Sequence, residues 1–86
     1  MSVSQLIREN SEGARATEYY QFLKPILDSV REEMREEWFR TKPAQANARE
    51  HMWRALHALD DVENKIINII NTGKMAQIML QRGDNG

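Results

Sequence analysis

His51, His57, Asp60 and Asp61 are the residues of this chain best suited to acid–base or metal chemistry. Their spacing argues against a site. His51 and His57 stand six residues apart, which on a helix separates them by about 120°, unlike the i, i+4 pair with which one helical turn grips a metal. His57 and Asp61 are four apart and within reach across a turn, an arrangement far commoner among surface pairs than in catalytic dyads. Asp60 and Asp61 are adjacent and diverge, so two-carboxylate hydrolysis has no support. Gly73-Lys74 lacks the glycine pattern of a phosphate loop. Arg82-Gly83-Asp84 spells an adhesion tripeptide; with no signal peptide expected, the match is expected to be accidental. There is no cysteine, hence no thiol nucleophile, disulfide or thiolate metal site. The expectation is a non-enzymatic protein with no catalytic, cofactor-binding or metal-binding residues and no cofactor.

The elements that must carry these residues are helices. Met52, Ala55, Leu59, Val62, Ile66 and Ile69 alternate at spacings of three and four, and Gly73 continues the register. This is the seam of a helix laid against other helices. Upstream, Ala16, Tyr19, Tyr20, Leu23, Ile26, Leu27, Val30, Met34 and Trp38 repeat in the same way. Pro25 removes one amide and crowds the preceding turn, yet the stripe passes through it without changing phase, so a kinked but continuous helix is expected. Pro43 disfavours helical geometry at Lys42 and suits the first position of a second helix, for which Asn47 with Glu50 offers an alternative start. That helix is expected to run to about Thr72, with Gly73 as its left-handed cap. Met75, Ile78 and Met79 would form one more short helix.

The fold class read from this pattern is all-α, an antiparallel two-helix hairpin with short terminal helical segments. Its expected divisions are a flexible arm over 1–13, in which Ser2 and Gln5 cap at most one turn through Ile7, a hairpin over 14–81 and a disordered tail over 82–86. The expected core or interface comprises Leu23, Leu27, Val30, Met34, Trp38, Met52, Trp53, Leu56, Leu59, Val62, Ile66, Ile69 and Ile70. Trp38 and Trp53 would plug the closed end, unless Phe39 or Trp53 stays exposed as a partner anchor. The run from Arg31 to Glu37 reads as a solvated face. Within it, Glu32–Arg35 and Glu36–Arg40 each contribute a few tenths of a kcal/mol.

Composition narrows the partners. With 12 basic and 13 acidic residues the net charge is -1, which gives no electrostatic footprint for duplex nucleic acid. No apolar run nears the roughly 20 residues of a membrane span. Met-Ser-Val-Ser-Gln lacks the basic and apolar regions of a signal peptide, so a cytoplasmic location is expected. A chain of 86 residues buries only roughly 60–65% of its unfolded surface. An isolated hairpin is therefore marginal, and association with itself or a larger body is the expected remedy.

Glu37-Trp38-Phe39-Arg40-Thr41-Lys42-Pro43, Ala48-Arg49-Glu50, Leu56-His57-Ala58-Leu59-Asp60-Asp61-Val62 and Asn71-Thr72-Gly73-Lys74-Met75-Ala76 together resemble short helical proteins encoded among the head and packaging genes of tailed bacteriophages. The resemblance covers roughly Leu23 to Ala76. It implies an accessory role in virion assembly, with the chain itself or a larger phage or host protein as partner, in the host cytoplasm or the virion. It transfers no catalytic residue. The alternatives are a host-takeover or anti-defence inhibitor that docks on a host protein, and an oligomeric sponge for a nucleotide signal. The last follows from a weaker similarity, over Ala46 to Leu59, to phage hairpins that sequester cyclic nucleotides.

Overall fold

A computed structural model describes the backbone of residues 2–85 and the side chains of 2–83. Two helices, α1 (Val3–Arg40) and α2 (Ala46–Asn85), make up the hairpin. They form a rod of 64 × 22 × 15 Å, the length that about 40 residues give at 1.5 Å each. No strand occurs among the described residues.

The helix ends are set by specific contacts. Ser2 caps α1, its Oγ accepting from the Gln5 amide at 3.2 Å, which satisfies one of the free first-turn donors. Gln5 Nε2 then donates to Glu9 Oε1 at 3.0 Å. The segment expected to be an arm is thus the first three turns of α1. At the far end the Thr41 amide and hydroxyl both donate to the Trp38 carbonyl, at 3.1 and 2.6 Å. Pro43 does not open α2 but lies in the turn before it. Gln45 closes that turn, its side-chain oxygen accepting from the Lys42 amide at 2.8 Å, while its carbonyl accepts the first helical bond from the Arg49 amide at 3.1 Å. That turn leaves Ala46 as the first helical residue.

Glycine and proline do not break these helices. α1 continues through Pro25, where Lys24 Nζ reaches Asp28 Oδ2 at 3.2 Å along the same face. Neither Gly13 nor Gly73 has positive φ. Gly73 is not a cap, and α2 runs on to Asn85 without a separate segment at 75–79 and without a break at the expected tail. Met1 and Gly86, the ends of the expected arm and tail, lie outside the described residues. Both glycines are buried where the backbones cross: a Cβ added at Gly13 would stand 2.7 Å from the Gly73 Cα, and one added at Gly73 would stand 2.6 Å from the Gly13 Cα. Glycine costs about 1 kcal/mol inside a helix, and here it permits a contact that no other residue does.

The crossing fixes the register. Leu6, Gly13, Tyr20, Leu27, Met34 and Thr41 recur every seven residues and all lie inward, as do Met52, Leu59, Ile66, Gly73 and Leu80. With Gly13 level with Gly73, Tyr20 lies level with Ile66, Leu27 with Leu59 and Met34 with Met52. On one side of that column in α2 lie Leu56, Glu63 and Ile70, all inward; on the other lie Ala55 and Ala76, also inward, with Val62 and Ile69, expected in the core or interface, exposed between them. Ile66-Ile67 and Ile69-Ile70 are doubled apolar pairs, so the stripe alone leaves the phase open by one residue. Of the remaining expected core residues, Leu23, Leu27, Val30, Met34, Trp38, Met52, Leu56, Leu59 and Ile66 are half-buried and Ile70 is buried, whereas Trp53 is exposed. The buried apolar side chains among the described residues are only Leu6, Ile70 and Ala76. Two helices enclose no more, because each side chain in the seam has solvent on its flank.

Candidate interaction surfaces

The residues singled out for chemistry do not meet. His51 is exposed. His57 turns edge-on to Trp53, with ring centroids 4.1 Å apart. Asp60 accepts from Arg31 across the hairpin, and Asp61 faces solvent. No cluster of three His, Asp or Glu able to hold a metal occurs among the described residues.

What the fold does bring together is an ionic clasp on one flank. Arg31 Nη2 lies 3.0 Å from both Glu63 Oε1 and Asp60 Oδ1, and Nη1 lies 3.3 Å from Asp28 Oδ1. Tyr20 Oη donates to Glu63 Oε2 at 3.3 Å. Arg31 and Glu63 keep only 13% and 16% of their side-chain surface exposed, so the pair is shielded from solvent in a way surface pairs are not. The hydrogen bond to Glu63 pushes the Arg31 pKa further up, while burial works in the opposite direction. The guanidinium therefore stays charged at any working pH. Arg31 is not part of the solvated face expected for its segment; the outward pairs Glu32–Arg35 and Glu36–Arg40 are, at 3.4 and 4.0 Å. Sequence reasoning missed Arg31, Glu63 and Tyr20 as a unit. The available signal was a pair of opposite charges at inward positions of two apolar stripes.

A second latch holds the closed end. Arg49 Nε donates to Thr41 Oγ1 at 2.7 Å and Nη2 to the Thr41 carbonyl at 3.1 Å. Its guanidinium also lies over the Trp38 ring, 5.1 Å from the centroid, a cation–π arrangement. One side chain thus ties the end of α1 to the first turn of α2. Trp38 is half-buried beneath it, but Trp53 and Phe39 are 55% and 83% exposed. They frame an apolar groove of about 260 Å³ with Arg35, Trp38 and Leu56. The two tryptophans do not plug the end together, because the Trp53 side chain projects one column outside the seam.

The opposite flank carries no clasp. Beside the half-buried Leu23 and Val30 of α1 stand the exposed Tyr19 and Ile26; beside Ala55 and Ala76 of α2 stand the exposed Val62 and Ile69. Tyr19 is 62% exposed and Val62 53%, whereas Phe22, two residues on from the inward Tyr20, lies on the back of α1. Both helices contribute to this flank, as shown by the groove between them lined by Glu9, Glu12, Asn68, Ile69 and Thr72. The clasp side has its own groove, lined by Asn10, Thr17, Lys74 and Gln77 around the glycine crossing. Polar contacts tie one side of the rod, and at mid-length the other side leaves Tyr19, Ile26, Val62 and Ile69 exposed; nearer the open end Val3 and Ile7 are exposed as well. No helix of the described residues is long and apolar enough to cross a membrane. No family model, curated protein or solved structure matches the chain.

Proposed function

We propose that this chain works by protein–protein association, without chemistry of its own, as an accessory component of virion or head assembly. The observation that carries the reading is the apolar strip of Tyr19, Ile26, Val62 and Ile69, left uncovered at mid-length of a rod whose other flank is tied there by ion pairs. Monomeric soluble proteins seldom leave a contiguous apolar face of this kind without a partner. The resemblance to tailed-phage head and packaging neighbours supplies the setting, in the host cytoplasm or the particle. Mass spectrometry of purified particles tests it: the chain is expected at a fixed stoichiometry, and its absence from particles and assembly intermediates overturns the virion role.

The aromatic groove at the closed end favours a second reading. Phe39 and Trp53 are exposed around an apolar groove, the make-up of an interface hot spot. A host-directed inhibitor would use that end to dock on one host protein. Pull-down from infected cells with Phe39→Ala and Trp53→Ala chains distinguishes it, since loss of a single host partner in both variants supports docking there.

A further inference from the structure

We infer that the uncovered flank is filled by a second copy of this chain, two hairpins packing face to face into a four-helix bundle; this rests on the association reading and names its partner. Three observations fit a second copy. The first is area: a compact monomer of this mass exposes about 5,300 Å², whereas the chain exposes 6787 Å², an excess sufficient for the roughly 800 Å² per partner of a standard stable interface. The second is shape. The apolar strip is two helices wide, with Tyr19 and Ile26 on α1 and Val62 and Ile69 on α2, so its complement is another two-helix layer. The third is position. The strip lies at mid-length of both helices, and a two-fold axis through it overlays the two rods along their whole length and closes the assembly.

The net charge is only -1 per chain, and the carboxylates that line the groove of this flank, Glu9 and Glu12, lie toward its open end, away from the mid-length strip. Lys65 is the single cation between Val62 and Ile69. Its apolar stem can cover the strip while its ammonium reaches the rim. Burial of the second columns, Leu23 and Val30 with Ala55 and Val62, would give each hairpin the interior that it lacks alone.

Light scattering and sedimentation of the full chain at micromolar concentration test the inference. The expected mass is twice the 10.1 kDa of one chain. Ile26→Glu and Val62→Glu, each placing a charge in the shared core, are expected to weaken the dimer about 100-fold or more, while Gln21→Glu, on the clasp side, leaves it unchanged. Because a weakened dimer could also unfold, a second measurement uses the absence of native cysteine: Lys65→Cys chains are expected to join through a short bismaleimide, and Gln21→Cys chains, level with it on the other side, are not. A monomeric wild-type chain overturns the inference, as does a dimer indifferent to both glutamates or cross-linked through position 21. A monomer that still joins particles, and loses them on Val62→Glu, overturns the second copy but leaves the association reading standing.

Discussion

Gly13 and Gly73 meet backbone to backbone, close enough that a Cβ on Gly13 would lie 2.7 Å from the Gly73 Cα and 3.2 Å from the Ile69 carbonyl oxygen. Main-chain atoms cannot swing aside as a side chain can. Alanine, which favours helix by about 1 kcal/mol over glycine, should therefore destabilise here. Gly13→Ala is expected to lower stability by about 1–3 kcal/mol, the range of overpacking. Gly83→Ala, where nothing lies within 4 Å, should be neutral or stabilising by up to about 1 kcal/mol. Thermal melting of both variants checks the sign.

The Arg31 clasp gives an asymmetric result. Arg31→Met leaves the shielded Glu63 carboxylate with Tyr20 as its remaining hydrogen-bond partner and should cost about 1–3 kcal/mol, the penalty of an uncompensated polar group at a partly buried site. Arg31→Met combined with Glu63→Leu removes both charges and should recover most of that loss. Urea unfolding of the two singles and the double measures the coupling; purely additive losses would show that the pair does not act as a unit.

Leu59→Ala and Ile66→Ala remove inward side chains that are half-buried rather than enclosed. Losses near the lower end of the usual range, about 2–3 kcal/mol, are expected. Glu33→Ala on the exposed side of α1 should stay within about 0.5 kcal/mol. Equal effects in melting at all three positions would contradict this assignment of faces.

The two-helix hairpin, its antiparallel sense and the end of α1 near Thr41 were legible from sequence, because seven-residue periodicity and Lys42-Pro43 each carry a direct physical meaning. The ends of the helices were not. Gly13 and Gly73 are ordinary helix breakers in isolation, and only their meeting across the hairpin explains why both helices run through them. Pro43 fits a first helical position, yet it falls in a turn that the Gln45 side chain closes by accepting from the Lys42 amide. The phase of α2 turned on Glu63, a charged residue in an apolar stripe, and its inward position follows from Arg31, 32 residues away in the chain. Arg49 carried no periodic signal at all, since its role depends on the turn that brings it over Trp38.

Arg49→Ala removes both hydrogen bonds to Thr41 and the contact with Trp38. A loss of about 1–2 kcal/mol is expected, with a red shift of Trp38 emission in a Trp53→Phe background as water reaches the ring. Unchanged emission would show that the guanidinium does not cover the indole.

His57→Ala and Asp61→Ala should leave biological activity intact in protein that folds and assembles, because His57 packs on Trp53 and Asp61 faces solvent. Loss of activity in either variant with assembly preserved would point to chemistry between subunits.

Association through the apolar flank is tested most directly by hydroxyl-radical footprinting of the chain in its native assembly, read residue by residue by mass spectrometry. Tyr19 and Ile26 are exposed in the single hairpin, yet in the assembly they are expected to be protected, and to regain labelling in the Val62→Glu chain. Labelling of Tyr19 and Ile26 in the assembly as rapid as in free hairpin would contradict association through this flank.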